Sequence, residues 1–125
     1  MTNKVRIARI YDRPDTGKAA RVLVDRVWPR GISKDDAALD HWMKEVAPTA
    51  ELRKWFGHDP KLWAAFRQKY EKELRDNDAQ KECLDELVKL ARSKPLALLY
   101  GAKDREHNQA VVLCEVIDRR LKGDD

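Results

Sequence analysis

The stretch from residue 96 to residue 121 constrains the fold of this chain more than any other. Leu96–Tyr100 is a continuous apolar run between a proline and a glycine, which is the pattern of a short strand buried on both faces. From Ala110 onward, apolar residues recur at the three- and four-residue intervals of a helix. The polar loop 101–108 joins the two elements. Ligands of open α/β sheets bind at the carboxyl ends of strands, so a functional site is predicted at this loop.

Two further strands are predicted in the first thirty residues. Residues 4–11 alternate apolar and charged side chains, as a half-exposed strand does, and Arg21–Val27 is a second, β-branched run. The turn-rich segment 12–19 joins them and lacks the Gly-Lys-Ser/Thr spacing of a phosphate-binding loop. The second strand carries charges at its carboxyl end on both faces, which is unusual for a core strand.

Helical segments are predicted between the second strand and Leu96. They cover 39–46, 49–57 with Thr49 as the cap, 59–76 with a proline in the first turn, and 79–93. A long helical link between two strands is typical of a crossover between parallel strands. The sequence therefore predicts one α/β domain over residues 1–125, with a short, mostly parallel sheet of three or more strands covered by helices.

Composition narrows the class of protein. The chain has 125 residues, a formal net charge of +4 and an isoelectric point near 9.1, which fits one charged, globular domain. It has no apolar run long enough for a membrane span and no signal-peptide pattern, so a cytoplasmic location and no membrane partner are expected. Cys83 and Cys114 lie on apolar helical stripes and are expected to be buried, reduced thiols. No metal site is predicted, because neither cysteine has a partner at ligand spacing.

Three motifs together resemble the DUF488 family, in particular its short, bacterial YeaO-like branch. They are Arg21–Gly31, Leu52–Pro60 and Leu98–Val112, and the similarity covers nearly the whole chain. The resemblance implies a compact α/β domain of bacterial cytoplasm without a settled biochemical function. Longer members carry a cysteine where Tyr100 stands and a Cys-His pair near Asn108. This sequence lacks both, so thiol or metal chemistry is not carried over.

Arg26 and Arg30 are predicted ligand-binding residues at the end of the second strand. A guanidinium binds phosphate or carboxylate through a planar fork, and Trp28 lies between the two arginines. The alternative is internal: either arginine pairs with a carboxylate such as Asp25 or Asp104 and holds the loops together. The sequence leaves both roles open.

The loop after the Leu96 strand supplies further candidates. Lys103 adds a point charge, and Asn108 is expected at the start of the last helix, where free N–H groups attract anions. Tyr100, Asp104 and His107 are candidate catalytic residues, because a hydroxyl, a carboxylate and an imidazole can exchange protons. The structural alternative makes Asp104 and Asn108 capping groups and His107 a surface residue.

His58 and the tryptophans complete the candidates. His58 begins a helix and is a further catalytic candidate, or else a cap residue beside core Trp55 and Phe56. Four tryptophans can stack nucleic-acid bases, but in a small domain such residues more often fill the core. Trp28 is the expected exception, because it lies in a loop.

The leading functional hypothesis is a cleft at the carboxyl ends of the strands that binds a small phosphate- or carboxylate-bearing ligand. The alternatives are a nucleic-acid-binding or regulatory module, which the interleaved acidic residues argue against, and a protein-interaction module using the long charged helix. No complete nucleophile, base and orienting group is readable, so enzymatic activity is left open and no cofactor is identified. A monomer or weak dimer is expected.

Overall fold

The computed structural model describes residues 5–123 and contains a four-stranded, all-parallel sheet. The strand order is β1-β4-β2-β3. The strands are β1 (Val5–Arg9), β2 (Ala20–Leu23), β3 (His41–Trp42) and β4 (Leu96–Tyr100). The predicted α/β class and parallel sheet are confirmed. Residue 4, where the first strand was predicted to begin, lies outside the described residues.

β4 is an inner strand of the sheet and pairs with β1 on one side and with β2 on the other. Leu98 lies opposite Ile7 of β1 and Val22 of β2. All five residues of β4 are buried, as the apolar run predicts. Leu96, Leu98 and Tyr100 belong to the larger apolar core, whereas Ala97 and Leu99 belong to a smaller one. The sheet therefore has a core on each face, as a parallel sheet requires.

The larger core lies between the sheet and the helices. These are α2 (Ala50–Phe56), α3 (Trp63–Asp76), α4 (Asp78–Ser93) and α5 (Gln109–Leu121), and a 3₁₀ turn at Pro60–Leu62 precedes α3. The smaller core is covered by the segment from Trp28 to Leu39, which includes the single-turn helix α1 (Lys34–Ala37). Thr49 accepts a hydrogen bond from the Leu52 N–H and so caps α2, as predicted.

The predicted helix over residues 39–46 is wrong. His41 and Trp42 form β3, a two-residue edge strand opposite Val22 and Leu23, and a 3₁₀ turn at Lys44–Val46 follows. The helical spacing in this segment is real, but pairing with β2 provides backbone hydrogen bonds that a marginal, short helix does not. The Trp42 indole N–H also donates to the Asp25 carbonyl oxygen at 2.8 Å, which holds the segment against the end of β2.

β2 is shorter than predicted, and the tryptophans are less buried. β2 ends at Leu23, so Asp25 and Arg26 lie in the following loop rather than on the strand. Trp55 was predicted to be a core residue but is 42% exposed, and Lys69 lies over its ring. Phe56, beside it, is buried as predicted. The two cysteines are half-buried, free thiols rather than fully buried ones.

The segment from Val46 to Thr49 is fixed by side chains of α3 and α4. The buried Tyr70 hydroxyl donates to the Val46 carbonyl oxygen. Glu73 accepts hydrogen bonds from the Thr49 N–H at 3.1 Å and from the Thr49 hydroxyl at 2.7 Å. Gln80 donates to Glu73 at 2.9 Å and to the Ala47 carbonyl oxygen at 3.1 Å. This network sets where α2 begins, and α2 forms one wall of the site described next.

Candidate ligand-binding site

A cavity of about 770 Å³ lies where the parallel strands end. The loop after β2 forms one wall, the segment from Ala47 through α2 forms a second, and the loop between β4 and α5 forms a third. Tyr11, which follows β1, also contributes, and its hydroxyl donates to the Arg30 carbonyl oxygen at 2.9 Å. The cavity is thus at the position where ligands bind in open α/β sheets.

The structure brings six of the nine predicted site residues into this cavity. Those six are Arg26, Trp28, Arg30, His58, His107 and Asn108. Tyr100, Lys103 and Asp104 do not line it. Tyr100 faces the larger core, and burial raises the pKa of its phenol, although nearby Arg105 and Arg9 and a hydrogen bond with Asn108 oppose that rise. Lys103 is exposed.

Arg26 is held by backbone carbonyl groups. Its guanidinium donates to the Ala47 carbonyl oxygen at 2.9 Å and to the Pro48 carbonyl oxygen at 3.1 Å. It also lies 3.6 Å from a carboxylate oxygen of Glu45. Arg26 therefore ties the loop after β2 to the start of α2, which is the internal role that the sequence left open.

Arg30 differs from Arg26, because its guanidinium is exposed and makes no ion pair or hydrogen bond within residues 5–123. Two basic residues that the sequence reasoning did not select, Arg53 and Lys54, line the same cavity from α2. Their side chains are likewise exposed and unpaired in the described part of the chain. They lie within the Leu52–Pro60 motif, so the motif itself was the available signal.

Asp25 also lines the cavity, although the sequence suggested it only as an ion-pair partner of an arginine. One of its carboxylate oxygens accepts a hydrogen bond from the Gly101 N–H at 2.8 Å, and the other accepts one from the Gln109 side chain. A Cβ at Gly101 would lie 3.0 Å from the Asp25 carboxylate, so glycine permits this close approach. Burial raises the Asp25 pKa, and the two hydrogen bonds and the positive charge of Arg53 partly oppose that rise.

His107 and Asp104 form a pair at the third wall. The Asp104 carboxylate lies 2.9 Å from Nδ1 of His107, and its other oxygen accepts the N–H groups of Glu106 and His107. These backbone hydrogen bonds are the main reason that the Asp104 pKa is lowered. The His107 ring also contacts Trp63 edge-on, with 5.2 Å between centroids. An imidazole oriented by a carboxylate can accept or donate a proton at its other nitrogen.

Asn108 caps α5, as one alternative in the sequence proposed. Its side-chain oxygen accepts the N–H groups of Ala110 at 3.0 Å and Val111 at 3.2 Å, and its amide donates to the Asp104 carbonyl oxygen. It is 2% exposed. Since these bonds occupy its polar atoms, Asn108 shapes the third wall of the cavity through the loop and helix that it holds.

Trp28 and His58 also line the cavity. The Trp28 indole N–H donates to the Ile32 carbonyl oxygen at 2.7 Å, and its ring meets Trp42 edge-on. His58 has a positive φ of 57°, and its exposed ring lies 6.1 Å from that of Phe56. It follows the Gly57 carboxyl cap of α2 and is not itself a cap residue.

The chemical capacity of the cavity is binding and proton exchange. Four basic side chains and two carboxylates line it. Its lining within residues 5–123 contains no cysteine, serine or threonine. The same residues contain no group of three His, Cys, Asp or Glu side chains placed to hold a metal ion. In that range, every helix is too short or too polar to cross a membrane.

Fold and cavity together define a small parallel α/β domain with a basic, ligand-sized cleft at the strand ends. The chain belongs to the DUF488 family: the family model described as "Inactive DUF488-N3 subclade" matches residues 4–125. The family resemblance inferred from the three motifs is thereby confirmed.

Curated relatives match over nearly their whole length. Uncharacterized protein YeaO of Escherichia coli (strain K12) is 41% identical over 111 residues, covering 89% of this chain and 94% of the relative. Uncharacterized protein Mb3100c of Mycobacterium bovis and uncharacterized protein Rv3073c of Mycobacterium tuberculosis are each 38% identical over 117 residues, covering 94% of this chain and 96% of the relative. No solved structure gives a significant match.

Proposed function

We propose that this protein binds a small phosphate- or carboxylate-bearing ligand in the cavity at the carboxyl ends of its strands. One observation carries the proposal. Arg30, Arg53 and Lys54 line the same cavity from two different walls, and none of them has an ion-pair partner within residues 5–123. Convergent cations without internal partners favour an anion, because charge-assisted hydrogen bonds are about twice as strong as neutral ones.

The arrangement supports a binding role without covalent catalysis. The cavity has a carboxylate-oriented imidazole in His107, and its lining within residues 5–123 has no cysteine, serine or threonine to serve as a nucleophile. The description of the matching family as an inactive subclade agrees with this role. The basic groups surround a concavity, which suits a small molecule better than the flat basic face that a nucleic acid requires.

Calorimetric titration tests the proposal. Organic phosphates and carboxylates are titrated into the wild type and into the double variant Arg53→Gln, Lys54→Gln. Both side chains are exposed, so the variant is expected to fold normally. The wild type should bind at least one anion, and the variant should bind it at least about tenfold more weakly, since a charged hydrogen bond contributes roughly 1.5–3 kcal/mol.

The matched control removes the same charge elsewhere. Arg6 of β1 and Lys89 of α4 are exposed and do not line the cavity. Arg6→Gln, Lys89→Gln should bind the anion as the wild type does. Equal weakening in the two double variants would mean that net charge, and not the cavity, attracts the anion, and the proposal would then be wrong.

A further inference from the structure

The cavity is larger than a simple anion requires. Its volume of about 770 Å³ lies within the roughly 300–1,000 Å³ range of sites that enclose drug-sized organic ligands. Inorganic phosphate or acetate bound at the basic side chains would leave most of this space to water. The size of the cavity therefore points to an organic ligand with a substantial body beyond its anionic group.

Part of the cavity lining is apolar, beside the basic side chains of Arg53 and Lys54. Ala47 and Pro48 lie on it, followed by Phe56 of α2 and Phe66 of α3. The two phenylalanine rings stack on each other, with centroids 4.3 Å apart and planes at 23°. Both are nearly fully buried, so they are fixed in place and offer a ligand little open surface.

The loop after β2 adds apolar surface to the lining, and part of it is exposed. Val27 lines the cavity and is 63% exposed, more than any other exposed large hydrophobic residue of the described chain. Pro29 and Trp28 flank it, and the Trp28 N–H is already bonded to the Ile32 carbonyl oxygen, so the indole offers mainly its carbon surface. A ligand against Val27 would remove this apolar surface from water.

We infer that the ligand is an aromatic organic anion: a flat apolar body against Val27 and Trp28, with its phosphate or carboxylate at Arg30, Arg53 and Lys54. This inference rests on the proposed function and specifies the class of ligand. An aryl carboxylate and a nucleoside monophosphate share this chemistry. The buried Asp25 carboxylate and the His107 imidazole are acceptors for the polar hydrogens of a nucleobase, which an aryl carboxylate lacks.

Matched probes test the inference by calorimetry on the wild type. One pair is 2-naphthoate and acetate, which share the carboxylate and differ in the aromatic body. The other is adenosine 5′-monophosphate and ribose 5-phosphate, which share the phosphate. The aromatic member of at least one pair should bind at least tenfold more tightly than its simple partner. The pair that shows this difference identifies the ligand as an aryl carboxylate or as a nucleoside monophosphate. Neutral adenosine and 2-naphthalenemethanol should bind at least tenfold more weakly than their charged counterparts.

Two variants locate the contacts. Val27→Ser should weaken the aromatic probe about threefold or more while leaving acetate or ribose 5-phosphate unchanged, because it removes apolar contact alone. Because Val27 is exposed, the variant is expected to fold normally, and circular dichroism checks this. The double variant Arg53→Gln, Lys54→Gln should weaken the binding of the charged aromatic probes and of the charged simple probes to the same extent.

The outcomes separate the two claims. Equal binding of aromatic and simple anions, with both weakened by Arg53→Gln, Lys54→Gln, would overturn the aromatic class and leave the anion site standing. Equal binding of charged and neutral aromatic probes would overturn the anion site itself. Failure of every probe to bind would overturn both.

Discussion

Individual residues at this site divide into those that hold the loops and those that remain free. Arg26 and Arg30 are four positions apart and look alike in sequence, yet one guanidinium is bonded to two carbonyl groups and the other to none in residues 5–123. The distinction depends on the segment 46–48, which reaches Arg26 only through the packing of α3 and α4. No local pattern carries that information.

Stability measurements should separate the two arginines. Arg26→Ala removes the charged donor of the Ala47 and Pro48 carbonyl groups, of which Ala47 keeps its bond from Gln80, and should lower the free energy of unfolding by about 1.5–3 kcal/mol. Arg30→Ala removes an exposed side chain and should change it by less than about 0.5 kcal/mol. Urea denaturation of both variants measures the difference, and equal costs would show that Arg30 also holds the loops.

Asp25 should give stability a distinctive pH dependence. Its folded-state pKa is raised above the ordinary 3.8, chiefly by burial, so between these values the folded protein holds more protons than the unfolded one. The contribution of Asp25 is complete below the ordinary value and is lost as pH rises through the folded pKa. The unfolding free energy of wild type minus that of Asp25→Asn should therefore fall as pH rises from about 4.

Asp104 provides a control of opposite sign. Hydrogen bonds from the backbone N–H groups of Glu106 and His107 lower its folded-state pKa, so its stabilisation is present above the ordinary value and is lost as pH falls through the folded pKa. The unfolding free energy of the wild type minus that of Asp104→Asn should rise with pH in the acid range. If the free-energy differences for Asp25→Asn and Asp104→Asn changed with pH in the same direction, the pKa shifts assigned to the two carboxyl groups would be wrong.

At the scale of elements, helix caps and buried polar bonds set the walls of the cavity. α5 begins at the Asn108 cap, and that cap also fixes the loop carrying Asp104 and His107. α2 begins at Thr49, whose backbone and hydroxyl are bonded to Glu73 of α3. Arg53 and Lys54 lie in the last turn of α2, and His107 lies in the loop before α5, so both walls depend on helices that other elements hold in place.

The Asn108 cap should contribute measurably to stability. Asn108→Ala removes the acceptor of two N–H groups and should lower the free energy of unfolding by about 0.5–2 kcal/mol. Asn108→Asp keeps the capping oxygen but loses the bond to the Asp104 carbonyl oxygen. Its free energy of unfolding should therefore lie between those of Asn108→Ala and the wild type. Chemical denaturation ranks the three proteins, and an aspartate variant no more stable than alanine would argue against the cap.

The elements that sequence predicted best are those whose burial depends on their own pattern. β4 was predicted from five consecutive apolar residues, and α3 and α4 from stripes that do face the core. Segment 39–46 failed because pairing with β2 outweighed its helical spacing. Of the six predicted residues that line the cavity, five lie in loops after strands and His58 follows α2, whereas Arg53 and Lys54 were missed because they lie on a helix whose position depends on Glu73 and Gln80.

At the scale of the whole molecule, neither thiol belongs to the site. Cys83 and Cys114 lie on α4 and α5, packed against the larger core, and neither lines the cavity. Burial is the main reason that the pKa of each thiol is raised to about 11. Near neutral pH, very little of the reactive thiolate is present in the folded protein.

Thiol labelling should therefore report on unfolding. An aromatic disulfide reagent at pH 7 should modify the native protein far more slowly than an unstructured thiol peptide, and both cysteines should react promptly in denaturing urea. Absorbance of the released thiolate follows the reaction. Prompt labelling of either cysteine without denaturant would contradict the burial and the raised pKa.

The inner position of β4 in the sheet has a consequence for how the chain folds during its synthesis. Synthesis delivers β1, β2 and β3 first, but β1 has no partner and β2 lacks its inner one until Leu96–Tyr100 emerges. A nascent chain that stops short of this strand exposes two unpaired strand edges, which can template association with other chains. The sheet then closes in a late step that joins segments distant in sequence, a topology associated with slow folding. Growing chains of this protein thus present chaperones with unpaired β-edges until the strand that completes the sheet is available.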